Sequence, residues 1–103
     1  MRAFEIILVC IILVGSFSLA LAAGDAGKGK ILFSNTKLSG ATAGSSCNSC
    51  HPSGKGLEKA GARKDLPMVI NACIETALKG RPLSSKSSEM ADLVSYIKSL
   101  GTK

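Results

Sequence analysis

The stretch Cys47-Asn48-Ser49-Cys50-His51 is the most informative part of this sequence. Two thiols are separated by two residues, and an imidazole follows the second thiol at once. At this spacing the thiols can add across the two vinyl groups of one haem, and the histidine becomes a ligand of its iron. We therefore predict one covalently bound haem c, with Cys47 and Cys50 as the thioether links and His51 as the proximal axial ligand.

A Cys-x-x-Cys pair alone has two other interpretations. A thioredoxin-like redox pair would lie in a βαβ unit, but no stretch of the sequence alternates with period two for long enough to form a strand. Half of a zinc site would need a second Cys/His pair, and only Cys73 is left downstream of the motif. The histidine beside the second thiol, together with an export signal, favours haem over both.

Residues 1–22 have the features of a secretory signal peptide. Arg2 supplies the positive charge, residues 6–14 (IILVCIILV) form an unbroken apolar run, and Ala20-Leu21-Ala22 is a cleavage site of the A-x-A type. We predict cleavage after Ala22 and a periplasmic or otherwise exported protein, with Cys10 discarded in the signal. The alternative is an uncleaved membrane anchor, because the apolar stretch is barely long enough to span a bilayer.

The composition limits what the remaining domain, residues 23–103, can do. The chain has 13 Lys+Arg against 7 Asp+Glu, a formal net charge of +6, one histidine, no tryptophan and 4% aromatic residues. A single histidine excludes a multi-histidine metal centre. The lack of stacking side chains and the export signal together predict no nucleic-acid partner.

A domain this short usually needs a stabilising element besides its side-chain core, such as disulfides, a metal or a cofactor. Once the signal is removed, the cysteines that remain are Cys47, Cys50 and Cys73. An odd number of cysteines cannot form a complete disulfide framework. A buried porphyrin would supply the apolar centre that so few aromatic residues do not provide.

The apolar pattern predicts an all-α domain of three main helices with long loops. The first helix is expected over residues 25–33, with Asp25 as its N-cap. Gly27 and Gly29 inside it suit the close approach of another backbone. The last helix is expected over Ser88–Leu100, with a core stripe that consists of Met90, Leu93, Val94, Ile97 and Leu100.

The middle helix is expected over residues 65–79. Asp65 is placed to cap its beginning, and Gly80 to end it. One stripe along this helix is apolar, and we expect that stripe to face the haem. Its members are Leu66, Ile70, Cys73 and Ala77.

With these features the chain resembles the small class I cytochromes c. The most specific part of the resemblance is the CNSCH motif. Gly29-x-x-x-Phe33 is similar to the first-helix motif of that family, and Leu93 and Tyr96 are similar to its last-helix partners. The resemblance implies a cytochrome c fold wrapped around one haem. It also implies that the first and last helices cross at Gly29, with Phe33 and Tyr96 in contact.

The sixth iron ligand departs from the pattern of that family. Many small class I cytochromes use a methionine in the loop before the last helix, but residues 80–86 contain none. We favour Cys73, which would otherwise be a leftover thiol in an oxidising compartment or a small buried apolar residue. Met68 is the runner-up and Met90 comes third. A lysine or an open site is also possible.

The stretch around Cys73 is similar to a second group, the cytochrome domains of thiosulfate dehydrogenases and sulfur-oxidation cytochromes. Residues 70–83 and the helix start Ser88-Glu89-Met90 carry this resemblance. It implies that Cys73 ligates the iron. A thiolate stabilises ferric iron and lowers the potential, whereas a methionine thioether raises it.

These features favour an exported electron carrier that is not an enzyme. The alternatives are a haem subunit of a sulfur-compound oxidoreductase that uses Cys73 at the iron, and a haem-based sensor with an open sixth site. An electron carrier would meet redox partner proteins with acidic docking faces. The residues available for such docking are Lys28, Lys30, Lys37, Lys55, Lys59, Arg63, Lys64, Lys79, Arg81 and Lys86.

Overall fold

The computed structural model describes residues 24–102, and this part of the chain contains helices but no strand. The α-helices are α1 (Ala26–Phe33), α2 (Cys47–Cys50), α3 (Leu66–Thr76) and α4 (Ser88–Leu100). Short 3-10 turns cover Leu38–Gly40, Pro52–Gly54 and Ala60–Ala62. The all-α prediction is confirmed for these residues. The predicted signal peptide lies outside them, and no helix within them is long and apolar enough to cross a membrane.

Helix α1 crosses α4 at Gly29, where the two backbones lie in direct contact. A Cβ atom at Gly29 would collide with the carbonyl oxygen of Asp92 and would lie 2.8 Å from the Cβ of Tyr96. One turn further along α1, the rings of Phe33 and Tyr96 are 5.1 Å apart between centroids and tilted by 59°. The crossing and the aromatic contact are therefore both present in this chain.

The beginning of α1 is fixed by two carboxylates. Asp25 caps the helix as predicted, because its carboxylate accepts a hydrogen bond of 3.0 Å from the backbone N–H of Lys28. The N–H of Asp25 donates in turn to the carboxylate of Asp92 at 2.8 Å, which ties α1 to α4. The prediction for Gly27 is wrong: this glycine is exposed, and a Cβ there would meet only the carboxylate of Asp25. Gly24 makes the second close approach, against the carbonyl group of Ala91.

Helix α3 begins where the sequence predicts but is held differently. Asp65 does not cap it, since its carboxylate forms a bidentate pair with the guanidinium of Arg63 at 2.8 and 2.9 Å. This hydrogen-bonded guanidinium also holds the pKa of Asp65 below its usual value. The predicted end at Lys79 is three residues too late, because α3 ends at Thr76 and Lys79 has a left-handed backbone with φ of 58°.

The core lies between α1, α3 and α4. On α3 the buried residues are Leu66, Ile70 and Ile74, and Ile74 is a core residue that the predicted stripe did not include. On α4 the predicted stripe is confirmed except for Val94, which is only half buried. The buried apolar residues are Phe33, Leu38, Ala41, Leu66, Ile70, Ile74, Leu78, Met90, Leu93, Tyr96, Ile97 and Leu100.

Two loops distant in sequence are joined side by side. The N–H of Arg81 donates to the carbonyl oxygen of Ser39 at 2.9 Å, and the Ser39 hydroxyl donates to the Arg81 carbonyl at 2.6 Å. The N–H groups of Thr42 and Ala43 both donate to the carbonyl of Leu78 at 3.1 Å. Residues 39–43 are therefore fastened to residues 78–81, just after α3.

The glycine crossing gives a direct stability test. Gly29→Ala is expected to lower the free energy of unfolding by about 3 kcal/mol, because a backbone carbonyl cannot make room as a side chain could. Gly27→Ala is the matched control in the same helix and is expected to raise it by about 0.5–1 kcal/mol. Urea unfolding followed by circular dichroism measures both. Equal effects of the two substitutions would contradict the crossing.

Candidate cofactor site

An apolar cavity lies between the four helices and opens to solvent on one side. It encloses about 680 Å³ of empty space when its mouth is included. All four α-helices contribute to its wall. The lining residues are Phe33, Ser46, Cys47, Cys50, His51, Leu57, Ala60, Leu66, Val69, Ile70, Cys73, Ala77, Leu78, Leu93 and Ile97. Apart from Ser46, the imidazole of His51 and the three thiols, this lining is hydrocarbon, which suits a large apolar ligand.

The two thiols of the Cys-x-x-Cys motif reach this cavity because α2 is a single helical turn. Residues three apart on a helix share a face, so Cys47 and Cys50 point to the same side. Ser46 and Ser49 form a reciprocal capping box at the beginning of the turn, in which the N–H of Ser46 donates to the Ser49 hydroxyl at 2.9 Å. The side chain of Asn48 accepts from the N–H of Ser53 at 2.9 Å and fastens the turn to the loop that follows.

His51 is held in the tautomer that suits a metal ligand. Its Nδ1 atom lies 3.0 Å from the carbonyl oxygen of Lys55. A carbonyl oxygen can only accept, so Nδ1 carries the proton and donates it, and Nε2 keeps its lone pair free. Metal-bound histidines commonly have this arrangement, in which a backbone carbonyl fixes the orientation of the ring. The chain turns back to place that carbonyl by means of positive φ angles at Ser53, Gly54 and Gly56.

The three thiols of the described residues lie around the same cavity and are free. Burial raises the pKa of the Cys47 thiol, and the nearby thiols of Cys73 and Cys50 raise it further. Cys73 of α3 lines the same cavity as the motif cysteines, although it is 23 residues or more away from them in sequence. The cavity therefore brings together the motif and the cysteine that sequence reasoning singled out.

Among the candidates for the sixth ligand, only Cys73 of the three sulfur-bearing residues lines the cavity. Met68 lies two positions after Leu66, which turns it about 200° around the helix. It is 71% exposed and borders a separate open cleft with Asn71 and Glu75. Met90 is a residue of α4, is 1% exposed and lies in the core, outside the cavity lining. The structure therefore does not bring Met68 or Met90 to the site.

The apolar stripe predicted for the middle helix does face this cavity. Leu66, Ile70, Cys73 and Ala77 are all part of its lining, and Val69 joins them from the same helix face. Cys73 and Ala77 are exposed to the open cavity, whereas Leu66 and Ile70 are buried at its edge. Whether the Cys73 thiol binds iron stays a prediction.

Asn71, which anchors the loop after α3, was not predicted from the sequence. Its side-chain amide donates to the carbonyl of Leu83 at 2.8 Å and accepts from the N–H of Leu83 at 2.8 Å. A lone amide between the apolar positions Ile70 and Ile74 was the available signal. Leu57 and Ala60, which complete the cavity wall, lie in a loop without any periodic pattern and carried no such signal.

The residues at this site fit a covalent haem. Two thiols on one helical turn, an imidazole with a free Nε2 and an apolar cavity are the parts that such a group requires. Within residues 24–102, no set of three or more His, Cys, Asp or Glu side chains is placed to hold a metal ion by itself. The thiols are therefore not gathered into a zinc cage.

Comparison with known proteins identifies no relative: no protein-family model, no curated protein and no solved structure matches this chain. The assignment of a function rests on the residues and on the geometry of the cavity.

Proposed function

We propose that this protein is an exported c-type cytochrome, with a class I cytochrome c fold, that carries single electrons through one covalently bound haem. The observation that carries the proposal is the meeting of Cys47, Cys50 and His51 at one apolar cavity, with Nε2 of His51 free. The resemblance of the CNSCH motif and of the Gly29 helix crossing to class I cytochromes supports it.

Each group of the motif has a separate task. The thiols of Cys47 and Cys50 would hold the haem covalently, and His51 would ligate the iron through Nε2. The carbonyl of Lys55 keeps the proton on Nδ1 and fixes the plane of the ring. When bound, the haem supplies an iron that alternates between the ferric and ferrous states, which is one electron per cycle.

The cavity wall suits electron transfer better than catalysis on a substrate. Phe33, Leu93 and Ile97 from the crossed helices exclude water from one side, and Leu66 and Ile70 from α3 exclude it from another. None of the described lining residues is a carboxylate, a lysine or an arginine. The remaining lining groups that could transfer protons are His51 and the three thiols, and haem attachment and ligation would occupy these side chains.

We further propose Cys73 as the distal iron ligand. Of the sulfur-bearing candidates it alone lines the cavity together with His51. A thiolate donates strongly to ferric iron, so the protein is expected to have a low reduction potential. Ligation would also protect a thiol that is otherwise exposed to an oxidising compartment.

A haem subunit of a sulfur-compound oxidoreductase is the second candidate function. The observation that favours it is the exposure of Cys73 at the cavity mouth, where a small sulfur anion could approach. A single haem would then need a partner chain to remove the electrons. Reduction of an added electron acceptor by thiosulfate, catalysed by the purified protein, would favour this function over a simple carrier.

The covalent links are tested by the pyridine haemochrome spectrum. The wild-type haem is expected to remain with the polypeptide in acidified acetone and to give the α band of a haem with both vinyl groups saturated. Cys47→Ala leaves one link, so the α band is expected to move to longer wavelength. Cys73→Ala is the matched control and should keep the wild-type band. Extraction of the haem from the wild-type protein would contradict the proposal.

The distal ligand is tested by the reduction potential. Cys73→Met exchanges a thiolate for a thioether and is expected to raise the potential by about 0.1 V or more, within the roughly 0.8 V range that axial ligands span. Met68→Leu removes the exposed methionine and should leave the potential unchanged. Spectroelectrochemical titration measures both variants. A large shift in Met68→Leu with none in Cys73→Met would exclude Cys73 as the ligand.

A further inference from the structure

A cationic surface forms where the two joined loops meet. Lys37 lies just before the loop that contains Ser39, and Lys79 and Arg81 lie on the loop fastened to it. The hydroxyl of Thr42 also donates to the carbonyl of Lys79 at 3.2 Å. These contacts bring together basic residues that are more than 40 positions apart in sequence. We call Lys37, Lys79 and Arg81 the loop-junction surface.

This surface has no acidic counterpart on its own segments. Residues 26–57 and 76–88 contain no aspartate or glutamate. All three side chains are exposed. The ion pair formed within residues 24–102 is that between Arg63 and Asp65, so none of the three basic groups is neutralised by a carboxylate of this region. The positive charge is therefore available to an outside partner.

The backbone of Lys79 carries a conformation that lysine rarely adopts. Its φ of 58° is left-handed, where a glycine is unstrained and a lysine is not. The neighbouring glycine serves another purpose, since a Cβ atom at Gly80 would lie 3.0 Å from Ile74 and 3.1 Å from the carbonyl oxygen of Ser39. Glycine would adopt this backbone conformation with less strain than lysine does. The presence of a lysine at position 79 therefore indicates a role for its side chain.

The loop-junction surface borders the cofactor cavity. Ala77 and Leu78, which immediately precede Lys79, are part of the cavity lining. A protein that contacts Lys79 and Arg81 therefore comes close to that edge of the cavity. Electron transfer in a transient complex requires a short distance between the haem of this protein and the redox centre of its partner.

We propose that the loop-junction surface is the docking site for an acidic protein, whose clustered carboxylates pair with Lys37, Lys79 and Arg81. This inference rests on the proposed electron-transfer function and assigns its partner surface. The cations of this surface are exposed and have no carboxylate partner, and they lie at the cavity edge. A partner with negative charge is therefore favoured there. Such contacts mainly accelerate association and weaken as salt screens the charges.

Charge-reversal pairs test the proposal in the haem-loaded protein. The probe is a short oligoglutamate peptide, titrated into the nitrogen-15-labelled protein at low ionic strength. We expect amide shifts concentrated in residues 37–43 and 78–82. The double substitution Lys79→Glu with Arg81→Glu should weaken peptide binding about tenfold. In salt near 0.5 M, the wild-type protein and this variant should bind the peptide equally weakly.

The matched control is Lys28→Glu with Lys30→Glu on α1, which changes the net charge by the same amount. It should weaken binding far less. Equal weakening by both pairs would mean that only net charge matters and would overturn the assignment. If the protein takes up haem but the peptide shifts amides in other residues, this docking site is wrong and the proposed function is not affected. If the protein takes up no haem, the proposed function itself is wrong.

Lys79→Gly separates docking from folding. Relief of the left-handed strain should raise the thermal unfolding midpoint, while loss of the cation should weaken peptide binding. A variant that is more stable and still binds the peptide as tightly as wild type would overturn the role assigned to Lys79.

Discussion

The contact between the backbones of α1 and α4 at Gly29 sets the geometry of the whole domain. Because no side chain separates Gly29 from the carbonyl of Asp92, the two helices cross with their backbones in contact. That distance lets Phe33 lie against Tyr96. It also turns Phe33 and Leu93 toward the cavity, so the crossing forms one of its walls. A larger residue at position 29 would move that wall.

The other walls come from α3, from the α2 turn and from the loop that contains Leu57 and Ala60. Helix α3 supplies an apolar face, and the α2 turn supplies the thiols and the imidazole. The domain encloses a cavity that its own side chains leave open, and voids lined by leucine and isoleucine cost stability roughly in proportion to their volume. An apolar group held at Cys47 and Cys50 would fill that space and stabilise the fold. The proposed haem would therefore enlarge the core and also supply the redox chemistry.

Features with a local cause were predictable from the sequence. The Asp25 cap, the extent of α4 and the cavity-facing stripe of α3 all follow from residue type and helical period. Features with a distant cause were not. The path of the chain after α3 is one example, because the Leu78 carbonyl accepts hydrogen bonds from the N–H groups of Thr42 and Ala43, far away in sequence. The missing Asp65 cap has a cause close by that residue type did not reveal, the ion pair of Asp65 with Arg63 two positions before it.

The candidate ligands show the same division. The motif thiols and His51 were identified from spacing alone, and the structure places them together. Met68 and Met90 could be separated from Cys73 only once the direction of each side chain was known. The hydrogen bond from His51 to Lys55, which fixes the free nitrogen, depends on the path of a loop rich in glycine and carries no sequence signature.

We propose that His51 and Cys73 face one covalently bound haem in this cavity. The electron paramagnetic resonance spectrum of the oxidised protein, recorded with its visible absorption, tests it most directly. We expect a low-spin ferric signal with the narrow spread of g values that is typical of thiolate ligation, and no methionine–iron charge-transfer band. A methionine-type spectrum or a high-spin signal would contradict it.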